Sequence, residues 1–191
     1  MTAIYFILGL ILISIIFSVA WRRDAIPCPP WLAWMVEMDN PFTEVNRAKT
    51  IVALLGVTPG MKVLDAGCGP GRLTLPLAEV VGAEGEVTAL DIESRMLERV
   101  RIKADAAGHR NITYLHAALG KGKLPQGYFD RAVLVTVFGE IPDKEAALKE
   151  IYQALKPDGV LSVTEVIFDP HFYQREAVLK VADAAGFREK N

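Results

Sequence analysis

Cysteine is scarce in this chain, and neither sign of charge is gathered into a run. Two cysteines among 191 residues, Cys28 and Cys68, form no disulfide framework and no metal-ligand spacing, which suits a reducing compartment. The formal net charge is −2 with an isoelectric point near 5.9. No basic stripe is present, and the longest basic cluster after the N-terminus, Gly120-Lys121-Gly122-Lys123, is too short to follow a phosphate backbone. A dedicated nucleic-acid binder is thereby excluded. Internal repeats and low-complexity tracts are lacking too, so the length points to one domain with a core large enough to stand alone.

Charge is missing altogether from Ala3 to Trp21, where Leu, Ile, Phe and Val dominate. The chain is 51% hydrophobic with a mean hydropathy of +0.25, and much of that excess sits in this stretch. Nineteen residues at a helical rise of about 1.5 Å come close to the roughly 30 Å apolar core of a bilayer. A single transmembrane helix is the expectation for residues 1–23. The rival is a cleaved signal peptide with Ser18-Val19-Ala20 as its site, but no Lys or Arg precedes the apolar run. Arg22 and Arg23 flank the C-terminal end, and by the positive-inside rule the rest of the chain is cytoplasmic. Residues 24–41 read as a membrane-proximal linker made stiff by Pro27, Pro29 and Pro30. Trp31 and Trp34 there suit either the headgroup level or packing on the domain's flank.

Residues 42–191 read as one domain. Val45, Ala48, Ile51, Val52 and Leu55 recur at helical spacing before a turn at Thr58-Pro59-Gly60. Strands are expected at Lys62–Asp65, Glu86–Asp91, Ile112–Ala117, Arg131–Val137 and Val160–Ile167. Helices are expected at Arg72–Val81, Ser94–Ala107, Lys144–Leu155 and Tyr173–Ala185. Such alternation implies right-handed crossovers and a doubly wound α/β fold with a mostly parallel, Rossmann-like sheet. Ligands bind such sheets beyond the carboxyl ends of the strands. The first strand ends at Asp65, and Gly67, Gly69 and Gly71 follow at alternate positions, leaving no Cβ between backbone and ligand. The second strand ends in Asp91, whose carboxylate can accept both hydroxyls of a ribose. A dinucleotide calls for G-x-G-x-x-G and a pyrophosphate, which Asp65 would repel. A ligand with an ammonium, a ribose and an adenine satisfies the same residues, and S-adenosylmethionine has all three.

Val63 to Gly71 resembles the first motif of class I S-adenosylmethionine-dependent methyltransferases, and Leu90-Asp91 the acidic end of their second strand. Leu155 to Val166 resembles the turn and fifth strand of that family, and Ala184 to Phe187 the end of its last helix; the resemblance spans about Phe42 to Phe187. Among subgroups the chain is most similar to the ubiquinone/menaquinone-type small-molecule methyltransferases. The resemblance implies that Asp65 and the Gly67-Cys68-Gly69-Pro70-Gly71 backbone hold the methionine end of the cofactor, that Asp91 takes the ribose hydroxyls, and that Ile92 packs on the adenine. Ordinary core packing is the competing reading for Ile92. Where the family often carries Gly-Asp-Ala after the third strand, this chain has His116-Ala117-Ala118, so only a backbone N–H at Ala118 remains for the adenine ring. The family also closes its sheet with antiparallel strands beyond the last helix. Only four residues follow Phe187 here, so either the C-terminus is truncated or the fifth strand is an edge open to a partner or a second copy.

The methyl acceptor should enter beyond the fourth and fifth strands. Glu140 is the first candidate for acceptor contact or proton removal, followed by Glu165, Asp169 and His171. Asp143 fits an N-cap better than a catalytic role. Phe138, Ile141, Phe168 and Phe172 around the mouth, beside a membrane anchor, suggest an apolar or lipid-borne acceptor: a headgroup amine, a quinone ring atom or a thiol. No metal is expected. The function expected is therefore a membrane-anchored methyltransferase. Its alternatives are a non-catalytic S-adenosylmethionine-binding scaffold and, disfavoured by the glycine spacing, a nicotinamide oxidoreductase.

Overall fold

The computed structural model describes residues 47–167, 169 and 171–190. The expected anchor and linker, with Phe168, lie outside these residues, and among the described residues no helix is long and apolar enough to cross a membrane.

In chain order the elements are α1 (Ala48–Leu55), β1 (Lys62–Ala66), α2 (Thr74–Val81), β2 (Glu86–Asp91), α3 (Ser94–Ala107), β3 (Ile112–His116) and β4 (Phe129–Val135). A short 3₁₀ turn (Phe138–Glu140), α4 (Lys144–Ala154), β5 (Leu155–Thr164) and α5 (Arg175–Ala185) complete them. Every strand pair is parallel, and the order across the sheet is β3-β2-β1-β4-β5. Alternate side chains of the central strands serve opposite layers, as the two-residue period of a strand requires. Val63, Val87 and Val133 pack with α1 and α2, whereas Leu64, Ala132 and Leu134 pack with α4 and Val178 of α5. Ala89 meets Leu97 and Val100 of α3. Helices thus cover both faces, and β5 is an edge strand among the described residues, as expected from the sequence.

Element ends depart from the sequence reading for identifiable reasons. The strand expected to run to Val137 stops at Val135, because Thr136 takes a left-handed conformation (φ 54°) that a strand cannot continue through. That break turns the chain into the 3₁₀ turn carrying Glu140. The fifth strand begins at Leu155 rather than Val160: Phe129 pairs with Leu155 and Arg131 with Val160, so Lys156 to Gly159 bulge out around Asp158, at φ 66°. It ends at Thr164, which frees Glu165 to leave the sheet. The helices expected from Arg72 and Tyr173 begin at Thr74 and Arg175, and the one expected through Leu155 ends at Ala154. Asp143 is the N-cap of α4, its carboxylate accepting from the Ala146 N–H at 3.0 Å, so its role is structural.

Candidate active site

Two clusters line the carboxyl ends of the strands. The first surrounds the glycine loop after β1. Gly67, Gly69 and Gly71 have φ of 75°, 51° and 93°, so each needs a residue without a Cβ. What stands against two of them is protein. A Cβ at Gly67 would lie 2.5 Å from a methyl of Val137, and one at Gly71 would lie 3.2 Å from a methyl of Val100. The close approach inferred for a ligand is, at these two positions, the approach of valine side chains from the 3₁₀ turn's threshold and from α3. The loop is tied to β2 by N–H donation from Gly67 and Cys68 to the Leu90 carbonyl, at 2.8 and 2.9 Å. Cys68 is buried, and burial raises its thiol pKa well above the ordinary range, so it is not a nucleophile.

Asp65 is 3% exposed and accepts the Thr74 hydroxyl at 2.6 Å. Burial pushes its carboxyl up to about 6, against the pull of that hydroxyl. Asp91 binds the loop directly: one carboxylate oxygen accepts the Gly69 N–H and the other the Glu93 N–H, each at 2.8 Å. Burial raises its pKa although both N–H groups oppose the shift. Each carboxylate oxygen has room for a second donor, so two ribose hydroxyls fit the lone pairs that remain. Ile92 is 53% exposed, which removes core packing as its explanation and leaves an apolar side chain open beside Asp91. A ring nitrogen of His116 bonds the Ile92 carbonyl at 2.9 Å, and the Ala117 N–H donates to the Asp91 carbonyl at 3.2 Å, which fixes the turn beside half-buried Ala118. Thr74, Val100 and Val137 escaped the sequence reading; the hydroxyl nine residues after Asp65, on the first turn of the following helix, is the one signal that pointed to any of them.

The second cluster gathers the candidate acceptor residues. His171 is 5% exposed at its side chain, with Nδ1 at 3.9 Å from Glu140 and 3.8 Å from Asp169. Its N–H donates to the Asp169 carboxylate at 2.6 Å, and its carbonyl oxygen sits so close to Gly139 that any Cβ there would strike it. Phe138 is fully buried and packs edge-to-face with Tyr173, the ring centres 5.5 Å apart. Lys144 donates to the Ile141 carbonyl at 2.6 Å, with its ammonium 4.6 Å from the Tyr173 ring centre. Both oxygens of Glu165 are shielded from solvent, with no hydrogen bond of ordinary geometry to them among the described residues. Among the described residues no group of His, Cys, Asp and Glu is arranged to hold a metal ion.

Burial pushes the Glu165 carboxyl from its ordinary 4.5 up to about 7, and Asp169 adds to the rise. The peptide N–H groups of Tyr173 and Phe138 and the charge of Lys144 pull the other way and offset only part of the rise. The folded chain therefore holds a proton there that the unfolded chain releases. Stability attributable to this group is highest below 4.5, falls as pH rises towards about 7, and stays low above it. With screening by solvent at a partly exposed residue, the cost is about 1–2 kcal/mol. Glu165→Gln removes the titration, so its melting temperature relative to wild type should climb between about pH 4 and about pH 8. A difference between the two proteins that stays constant with pH would show that Glu165 is not buried as described.

Residues 63–159 match the family described as methyltransferase domain. The ubiquinone/menaquinone biosynthesis C-methyltransferase UbiE of Shewanella oneidensis is 35% identical over 138 residues, 72% of this chain and 53% of that protein. The chain thus spans about half the length of the curated relatives it matches. Among solved structures, a SAM-dependent methyltransferase from Aquifex aeolicus superposes with a TM-score of 0.75 at 24% identity, covering 85% of this chain and 90% of that one. An S-adenosylmethionine-dependent methyltransferase from Mesorhizobium loti is 33% identical, with a TM-score of 0.53, over 62% of this chain and 53% of that one.

Proposed function

The chain belongs to the family of S-adenosylmethionine-dependent methyltransferase domains, and from that premise we propose that it is a membrane-anchored enzyme methylating a small apolar or lipid-associated acceptor. The observation that carries the cofactor half of this reading is Asp91, a buried carboxylate held between the N–H groups of Gly69 and Glu93 beside an exposed Ile92. In this reading Asp65, Gly67, Cys68, Gly69 and Gly71 surround the methionine end of the cofactor, Asp91 takes the ribose, and Ile92 and Ala118 border the adenine. When bound, S-adenosylmethionine would supply a methyl group on a positively charged sulfur, which an electron pair of the acceptor (a lone pair, or the π electrons of a ring carbon) would take while the electrons of the broken C–S bond stay with sulfur. The chain's own part is to hold the two reactants in line, exclude water and manage a proton where the acceptor carries one. In this reading Glu140 and His171 are the candidates for acceptor contact.

The uncharged Ala3–Trp21 stretch followed by Arg22 and Arg23 supports a single membrane span with the domain on the cytoplasmic side. The UbiE relatives carry quinone biosynthesis in their name, which agrees with an apolar acceptor for this chain. A binding module without turnover is the second reading, favoured by Ala117 at the position where an acidic adenine contact is often found. Calorimetry of S-adenosylmethionine on the detergent-solubilised chain tests the shared premise. Saturable binding, weakened about tenfold or more by Asp91→Ala, is the expected result. A folded chain that binds none of it would end both readings, and binding without transfer to any apolar amine, quinol or thiol would favour the module.

A further inference from the structure

The end of β2 is held from both of its neighbours in the sheet, through three successive carbonyls. The Leu90 carbonyl accepts the N–H groups of Gly67 and Cys68 from the glycine loop after β1. The Asp91 carbonyl accepts the Ala117 N–H from just beyond β3, at 3.2 Å. The Ile92 carbonyl is bonded by Nε2 of the His116 ring, at 2.9 Å. The first two ties use peptide N–H groups, which any residue but proline supplies. The third depends on a side chain. His116 ends β3 in register with Asp91 at the end of β2, so the two side chains leave the sheet on one face and side by side. A carbonyl oxygen only accepts, so Nε2 carries the proton of this bond whether the ring is neutral or charged.

The carbonyl of Ile92 and the N–H of Glu93 belong to one planar peptide group. His116 holds its oxygen, and one carboxylate oxygen of Asp91 accepts its N–H at 2.8 Å. The other carboxylate oxygen accepts the Gly69 N–H, also at 2.8 Å. Because the group is rigid, a peptide that turned away from the ring would carry its N–H away from the carboxylate. Burial raises the Asp91 pKa, and the Glu93 N–H is the strongest of the influences that oppose the rise. Hydrogen bonds in series polarise one another, so a donor on the peptide oxygen strengthens the N–H at its other end. We propose that His116 is a positioning residue for the ribose of the cofactor: it fixes the Ile92–Glu93 peptide and, through that peptide, the Asp91 carboxylate. The inference rests on the reading in which Asp91 takes the ribose hydroxyls, and it adds a side chain that acts on the ribose without touching it. His116 is exposed, so trimming its ring removes a donor and leaves the core packing as it was. An effect transmitted this way should disappear once the carboxylate itself is gone.

The test is calorimetry of S-adenosylmethionine on the full chain in dodecyl maltoside, with His116→Ala, His116→Gln, Asp91→Ala and the combined His116→Ala, Asp91→Ala variant. His116→Ala should weaken binding about fivefold, the order expected from one hydrogen bond. Glutamine can place an amide N–H near the position of Nε2, so His116→Gln should stay within about twofold of wild type. In the Asp91→Ala background, loss of the ring should change the affinity by less than about twofold. Amide exchange read by mass spectrometry follows the same peptide without any ligand: the Glu93 N–H should exchange about fivefold faster in His116→Ala and at the wild-type rate in His116→Gln. Circular dichroism should be the same in wild type and both His116 variants. Wild-type affinity in His116→Ala overturns the inference, and so does a loss that glutamine fails to rescue or one that adds fully to the loss in Asp91→Ala. Each of these outcomes leaves the cofactor reading standing. A folded wild-type chain that binds no S-adenosylmethionine overturns the cofactor reading, and the inference falls with it.

Discussion

Replacing Glu150 with alanine should cost the domain about 3 kcal/mol, visible as a lower urea midpoint with an unchanged slope. Glu150 is 8% exposed on α4, and its carboxylate is the centre of the loop that joins β3 to β4. One oxygen accepts the N–H groups of Gly120 and, at 3.1 Å, Lys121. The other accepts those of Lys123 at 2.5 Å and Leu124 at 3.0 Å. Alanine leaves four peptide donors facing an apolar gap, and each would cost about 1–3 kcal/mol if it stayed dry. The sum overstates the effect, because Lys121, Gly122 and Lys123 are exposed and water can reach their side of the loop. Leu124, 8% exposed in the main core, cannot be served that way, so a large part of the loss persists. Glu150→Gln should recover only part of it, since its NH₂ would face two donors. An alanine variant within about 0.5 kcal/mol of wild type would mean that the loop is held by something other than this carboxylate.

Glu150 also shows where sequence reading stops. The strands and helices were legible because their apolar periods are clean: β2 and α3 fall at the expected residues, and the order of elements is as expected. The crevice was legible because a strand ending in Asp, followed by alternate glycines, has few other uses. Side-chain partners were not. Gly120-Lys121-Gly122-Lys123 reads as a short basic run, yet its side chains matter less than its N–H groups, which wrap one carboxylate. The signal for that was on the helix: Glu150 occupies the stripe shared by Ala147, Ile151 and Ala154, a charged residue where burial demands an apolar one. The acceptor cluster was legible as a set of residue types. That Glu165 lies shielded near Asp169 and Lys144, while His171 is packed between two carboxylates, depends on the strand ending at Thr164, which no local pattern announces.

Gly67→Ala should destabilise the domain by about 2–4 kcal/mol, from two causes that a second substitution separates. The residue sits at φ 75°, where a Cβ costs about 1–2 kcal/mol whatever surrounds it. The added carbon would also lie 2.5 and 2.7 Å from the two methyls of Val137, well inside contact distance, and overpacking of that kind costs about 1–3 kcal/mol. Val137→Ala removes those methyls and opens a small cavity of its own, at a cost of about 1 kcal/mol or somewhat more. The double variant should therefore be more stable than the sum of the single losses by at least about 1 kcal/mol, and should still fall short of Val137→Ala alone by the backbone cost. Additive losses would place the glycine requirement wholly in the backbone conformation and return the space beside Gly67 to a ligand. The consequence extends past stability. Val137 leads directly into the 3₁₀ turn that carries Glu140, and the Glu140 N–H bonds the Val137 carbonyl at 2.9 Å. A methyl group added at Gly67 therefore pushes on the acceptor side from the cofactor side, and activity should fall further in Gly67→Ala than in the double variant at equal stability. The two halves of the crevice are one packed unit, joined where a glycine meets a valine.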